Sequence, residues 1–150
     1  MKVALMVAAG KGQRMGSDKL WLELDGLPVV AHTWRHLDQA ASVDQVVLVV
    51  RNESRASFEA LGGGLGLRKP YTFVDGGAER QDSVWAGLQS CPSGTQWVAI
   101  QDAARPCTST ADCPPASVLQ QGMTLWEPGA AAGSWRALLG ARLLGSVPVP

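Results

Sequence analysis

The chain has 150 residues, ample for one domain with a buried core, and its 13 basic residues balance 13 acidic ones at zero net charge. That balance gives no electrostatic reason to expect a nucleic-acid or membrane partner, and no apolar run reaches membrane-spanning length. Three cysteines, Cys91, Cys107 and Cys113, form neither an even set nor a metal-ligand spacing, so a reducing cytoplasm is expected.

In chain order, Val3 to Val7 is a short apolar run, as expected of a strand covered on both faces. It continues directly into a glycine-rich basic loop, which argues for a strand over a signal peptide. Next come Leu20 to Leu24 and a turn at Asp25-Gly26-Leu27-Pro28. Val29 to Gln39 predicts a helix, with Val30, Trp34 and Leu37 at helical spacing. Val46 to Val50 is the clearest buried strand. Ser54 is placed to cap a helix over about 55–61, which the glycines at 62–64 should end. Tyr71 to Val74 predicts a third strand, Ala78 to Ser90 a helix facing inward through Val84 and Leu88, and Trp97 to Ile100 a fourth strand.

Alternating strands and helices imply an α/β fold with a mostly parallel sheet and ligands beyond the carboxyl ends of the strands. Three of the four strand ends carry unusual polar or glycine-rich strings. The first is Ala8-Ala9-Gly10-Lys11-Gly12-Gln13-Arg14-Met15-Gly16, followed by Lys19. Glycines let successive N–H groups turn into one concavity that binds phosphate oxygens, and Lys11, Arg14 and Lys19 bring three cations to it. A dinucleotide fingerprint beginning at Gly10 would need a glycine where Met15 stands, and no Gly-Lys-Ser/Thr string follows for a Walker loop. A solvated basic turn is the plain alternative.

The second string is Asp75-Gly76-Gly77-Ala78-Glu79-Arg80-Gln81-Asp82-Ser83-Val84. Its two glycines permit close approach of a base or ribose, and Arg80 and Ser83 share one face of the first helical turn. The alternative is capping of the helix by Asp82 or Ser83. The third is Asp102-Ala103-Ala104-Arg105-Pro106, whose carboxylate suits Mg²⁺ completed by phosphate oxygens and water; a local Asp102–Arg105 ion pair is the alternative. His32 and His36 lack the glutamate of a zinc motif and read as a surface helix face. Trp21, Trp34, Trp85 and Trp97 read as core, and Cys91 as packing.

The tail differs. Only Asp112, Glu127, Arg136 and Arg142 carry charge after residue 106, and Pro114, Pro115, Pro128, Pro148, Pro150 and five glycines interrupt it. No strand stands out there, and a helix over Trp135 to Leu144 would be broken at Gly140.

Together, in this order, the three strings resemble the 2-C-methyl-D-erythritol 4-phosphate cytidylyltransferases of the non-mevalonate isoprenoid pathway. The resemblance runs from about residue 2 to 106. It implies a Rossmann-like three-layer nucleotidyltransferase fold with an arm that helps form a homodimer, and transfer of CMP from CTP to methylerythritol phosphate with Mg²⁺. It implies that Arg14 and Lys19 stabilise the α-phosphate, and that Ala8, Ala9, Gly10, Lys11 and Gly12 bind the triphosphate. Gly76, Gly77, Arg80, Ser83 and Ala103 belong to the nucleotide site on the same grounds, with Asp102 on nucleotide and metal.

Two departures stand out. Asp18 replaces the proline common before the lysine, and is expected to pair with Lys19. The family's Pro-Val-x-Asp-Thr-x-Lys element and the basic residue of its dimer arm are not found; the last lysine is Lys69, and Pro148-Val149 matches only the element's start. The reading is therefore a CTP-binding core over 1–106, C-terminally truncated. A tail over 107–150 would follow, read from a shifted frame, without the dimer arm. Another sugar- or cofactor-nucleotidyltransferase, or a non-catalytic nucleotide-binding fragment, are the alternatives.

Overall fold

The computed structural model describes residues 1–10 and 18–105, and the backbone of 123–128, 135–139 and 142–147. Its main sheet has seven strands in the order β5-β4-β1-β6-β7-β8-β9. The first half is parallel: β1 (Lys2–Val7) lies between β4 (Gln45–Val50) and β6 (Trp97–Asp102), with β5 (Tyr71–Asp75) outside β4. Two short strands, β2 (Glu23–Leu24) and β3 (Leu27–Pro28), form a separate hairpin. Its turn residues Asp25 and Gly26 both have positive φ, the geometry that lets a two-residue loop follow strand twist.

Alternation along the strands sorts the core into two layers. Ala4, Met6, Val46, Leu48, Val50 and Ala99 face α1 (Val29–Gln39) and α2 (Arg55–Gly64). Val3, Leu5, Val47, Val49, Val98 and Ile100 face α3 (Arg80–Gln89), which contributes Val84 and Leu88. Continuous apolar sequence in β1 and β4 is thus explained by helices on both faces. Helix α3 comes close to the sheet because residue 87 is glycine; a Cβ there would stand 2.3 Å from Leu5 Cδ1.

Helix α1 matches its expected limits, whereas α2 runs through Gly62, Gly63 and Gly64 to a cap at Leu65. The glycines do not end it, because Gly62 is buried under the Trp34 ring, where a Cβ would meet Trp34 Cη2 at 2.7 Å. The chain reverses instead at Gly66, φ +64°. Ser54 stands at the N-cap position of α2 without a side-chain cap bond.

The tail also departs from expectation. Instead of a broken helix it supplies β7 (Met123–Pro128), β8 (Trp135–Leu139) and β9 (Arg142–Val147), which extend the sheet antiparallel from β6. Each half of the apolar stretch is long enough to pair: β7 lies on the open edge of β6, β8 on β7, and β9 on β8. Among the described residues no helix is long and apolar enough to cross a membrane.

Candidate functional site

Because β1, β4, β5 and β6 are parallel, their carboxyl ends open on one edge of the sheet, and three backbone bonds draw the following loops together there. The Ala8 N–H donates to Val49 O at 2.8 Å, the Gly76 N–H to Val50 O at 2.8 Å and the Ala103 N–H to Val7 O at 3.0 Å. Each loop therefore begins on a neighbouring strand's last carbonyls.

Ala8 and Ala9 are buried at this edge, and Gly10 is exposed with open space where a Cβ would stand. Lys11, Gly12 and Arg14 lie outside the described residues. Gly76 meets the first loop directly: a Cβ there would stand 2.3 Å from Ala9 Cβ and 3.0 Å from Ser83 Oγ. Neither neighbour is the free end of a flexible chain, so only glycine fits. Gly76→Ala is expected to cost about 1–3 kcal/mol by overpacking. Urea unfolding measures the loss, and an unchanged stability would contradict the close approach.

Gly77 is held similarly, with a Cβ position 2.3 Å from Asp82 Cβ. Its N–H donates to Ser83 Oγ at 3.1 Å, and the Ser83 hydroxyl donates to Glu79 O at 3.2 Å. Ser83, 2% exposed, thus shapes the glycine pair from beneath. The start of α3 is closed by a reciprocal box in which Glu79 and Asp82 each bond the other's backbone N–H. Capping falls to those two acids, and Arg80 is left to reach sideways.

Arg80 reaches the third string. Its Nη2 donates to Asp102 Oδ1 at 2.9 Å, while Arg105 Nε approaches Asp102 Oδ2 at 3.4 Å. The expected local pair with Arg105 is present, and Arg80, 22 residues away, shares the same carboxylate. Ala103 is buried, and its carbonyl accepts from the Thr33 hydroxyl at 2.8 Å. This tether of α1 to the loop carrying Asp102 escaped sequence reasoning. The available signal was a threonine inside the Val30–Trp34–Leu37 stripe, where a buried hydroxyl must find a partner.

Lys19 opens a short 3₁₀ turn, Lys19–Trp21, and is exposed. Asp18 does not pair with it; its carboxylate binds Arg51 Nη2 at 2.8 Å instead. Neighbouring residues in a turn point their side chains apart, and the guanidinium after β4 offers Asp18 a better-placed partner.

The remaining candidates are structural. Trp34 is buried, and Trp21 and Trp97 pack against the same core layer, Trp85 against the other. His32 Nε2 lies 2.6 Å from Leu24 O, and among the described residues no group of three His, Cys, Asp or Glu side chains could hold a metal ion. Burial pushes the Cys91 thiol up to about 12, so it stays protonated and unreactive near neutrality, as packing requires.

The family model for 2-C-methyl-D-erythritol 4-phosphate cytidylyltransferase (IspD) matches residues 2–125, further into the tail than the motifs alone reach. A cytidylyltransferase of that description from Synechococcus elongatus is 46% identical over 108 residues, 71% of this chain and 46% of its own. The chain thus spans about half the length of the curated relatives it matches. In fold, it is similar to 4-diphosphocytidyl-2C-methyl-D-erythritol synthase from Anaerococcus prevotii: TM-score 0.64, 23% identity, 73% of this chain and 46% of that one. It is also similar to a manganese complex of Rv0371c from Mycobacterium tuberculosis, with TM-score 0.57, 17% identity and 75% and 55% coverage. With that match across most of its length, the chain belongs to the 2-C-methyl-D-erythritol 4-phosphate cytidylyltransferase family.

Proposed function

We propose that this chain binds CTP with a divalent cation, Mg²⁺, and transfers CMP to 2-C-methyl-D-erythritol 4-phosphate with release of pyrophosphate. The observation that carries the reading is the convergence of three loops on one sheet edge: Ala9 against Gly76, and Arg80 against Asp102. In the transfer, an acceptor phosphate oxygen attacks the α-phosphorus of CTP, one P–O bond forms, and the bond to the departing pyrophosphate breaks. Negative charge grows on the α-phosphate and the leaving group, so cations placed beforehand bind the transition state more tightly than the substrate. Lys19 and Arg14 take that role. Ala9, Gly10, Lys11 and Gly12 hold the triphosphate with backbone N–H groups and the lysine's charge, while Ala8, whose N–H is bonded to Val49 O, anchors the loop to the sheet edge. Gly76 and Gly77 let the loops close on one another to form the wall against which cytosine and ribose rest, with Ala103 behind it; Arg80 reads their polar edge and Ser83 keeps the glycines in place.

Asp102 suits the cation: its single carboxylate lies beside the nucleotide loops, and one protein oxygen is enough when phosphate oxygens and water fill the octahedron. The cation, when bound, neutralises phosphate charge. Manganese in the fold relative Rv0371c supports a divalent ion of this class. A cytoplasmic setting fits Cys91, a free and half-buried thiol.

Calorimetry with CTP, UTP and ATP in Mg²⁺, beside a pyrophosphate-release assay with methylerythritol phosphate, tests the reading. CTP is expected to bind at least about tenfold tighter than the other two, a difference of about 1.4 kcal/mol. Preference for another triphosphate would assign the chain to a different nucleotidyltransferase specificity. CTP binding without pyrophosphate release would reduce the function to nucleotide binding, and no binding at all would refute it.

A further inference from the structure

The residue before Lys19 is tied down on two sides. Asp18 Oδ1 accepts from the Leu20 N–H at 3.2 Å and the Asp18 carbonyl from the Trp21 N–H at 3.0 Å, which closes the turn that begins at Lys19. Oδ2 receives Arg51 Nη2 at 2.8 Å. Arg51 directly follows Val50, whose carbonyl accepts the Gly76 N–H, so the pair fastens the Lys19 turn to the sheet edge where the nucleotide loops meet. The partners are 33 residues apart in sequence, and their side chains are only 24% and 27% exposed. Both carboxylate oxygens are thus engaged, one by the turn and one by Arg51. Neither is directed at the lysine.

We infer that the Asp18–Arg51 pair is the positioning device for Lys19, holding its backbone at the phosphate end of the site while leaving its charge undiminished. The inference rests on the cytidylyltransferase reading for the lysine's role. It does not need that reading for the geometry of the turn. A long lysine side chain keeps its own rotamer freedom, so fixing its backbone removes the part of the ordering cost that the protein can meet in advance. The opposite consequence of an acid beside a lysine, partial neutralisation, makes a prediction of opposite sign.

Asp18 has φ −74° and ψ 103°, within reach of proline's fixed φ. Among the described residues nothing accepts a bond from its N–H. Asp18→Pro can therefore hold the same entry to the turn by covalent restraint, without any ion pair. This is the variant that separates positioning from charge.

The experiment measures hydrogen exchange at the Trp21 amide, whose acceptor is the backbone carbonyl of residue 18 and survives substitution, together with affinity for CTP in Mg²⁺. Asp18→Ala and Arg51→Ala are each expected to speed that exchange about tenfold as the turn opens locally. CTP affinity should fall about fivefold in both, and Asp18→Pro should restore both readouts to within about twofold. In a Lys19→Ala background, adding Asp18→Ala should lower affinity no further, because partners acting through one group are non-additive. A general structural role would lower it in both backgrounds. A rise in affinity in Asp18→Ala, an additive double variant, or unchanged exchange would overturn the inference. If the unaltered chain binds no CTP, the proposed function fails by itself. The exchange arm then decides the pair: acceleration reversed by Asp18→Pro supports it, and no acceleration overturns it.

Discussion

Lys19→Ala is expected to lower turnover with CTP by about 10²–10³-fold, the usual consequence of removing one preplaced group from a developing anion. The fold should not notice. Lys19 is exposed, and no ion pair holds it among the described residues, so unfolding free energy should stay within about 0.5 kcal/mol of the unaltered chain. The loss should fall mainly on kcat. On the proposed function the loop's N–H groups and the metal would share the ground-state triphosphate with the lysine, whose part in affinity is about fivefold; its larger value comes when charge accumulates on the α-phosphate and leaving pyrophosphate. Steady-state pyrophosphate release and CTP calorimetry on the same preparation check this. A drop in affinity as large as the drop in turnover would make Lys19 a simple binding group, and turnover within threefold of the original would remove it from the mechanism.

The largest effect on stability belongs to Trp34, 1% exposed at the junction of α1, α2 and β5. Its ring meets Tyr71 edge-on at 5.1 Å and 89° and Phe73 at 6.1 Å and 84°, and it fills the space above Gly62. Trp34→Ala should cost about 3–5 kcal/mol, from lost burial and the cavity left behind. Since a domain of this kind has about 5–15 kcal/mol in total, the variant should be substantially unfolded near 37 °C. Trp34→Phe, which keeps an aromatic edge against Tyr71, should cost clearly less. Urea unfolding followed by circular dichroism measures both. A loss below about 1 kcal/mol in Trp34→Ala would show that the aromatic cluster is not what fastens the helices to the sheet.

Much of this architecture is visible in local pattern. Val46 to Val50 could only be a strand covered on both faces, and α1 announces itself through Val30, Trp34 and Leu37, then stops where expected at Gln39. Glycines at Gly76 and Gly77 likewise mark a close approach before any partner is known. What local pattern cannot supply is the other half of a long-range bond. Thr33 finds its acceptor 70 residues away, Asp18 its partner 33 away, and Arg80 its carboxylate 22 away. Lys69 is similar: its ammonium donates to the carbonyls of Asp38 and Ala40 at the end of α1, while Asp38 Oδ1 accepts the Arg68 and Lys69 N–H groups. Each such residue has several acceptable partners in sequence, and only the fold selects one. Where length and period disagree, pattern also misleads. The apolar stretch from Trp135 fits a helix or two strands about equally, and the open edge of β7, itself laid on β6, decides for strands.

Asp102 has a consequence for the order in which ligands arrive. With Arg80 on one oxygen and Arg105 on the other, its charge is already answered in the nucleotide-free protein. A bare divalent ion bound there would have to displace a guanidinium and leave it without its counter-charge. A cation arriving on a triphosphate brings the replacement anion with it. If Asp102 takes the cation as proposed, Arg80 or Arg105 would pass from its carboxylate to an oxygen of the incoming nucleotide, so that each charge would keep a partner. On that reading the site would exchange partners rather than fill a vacancy, and would take a metal–nucleotide complex more readily than free metal.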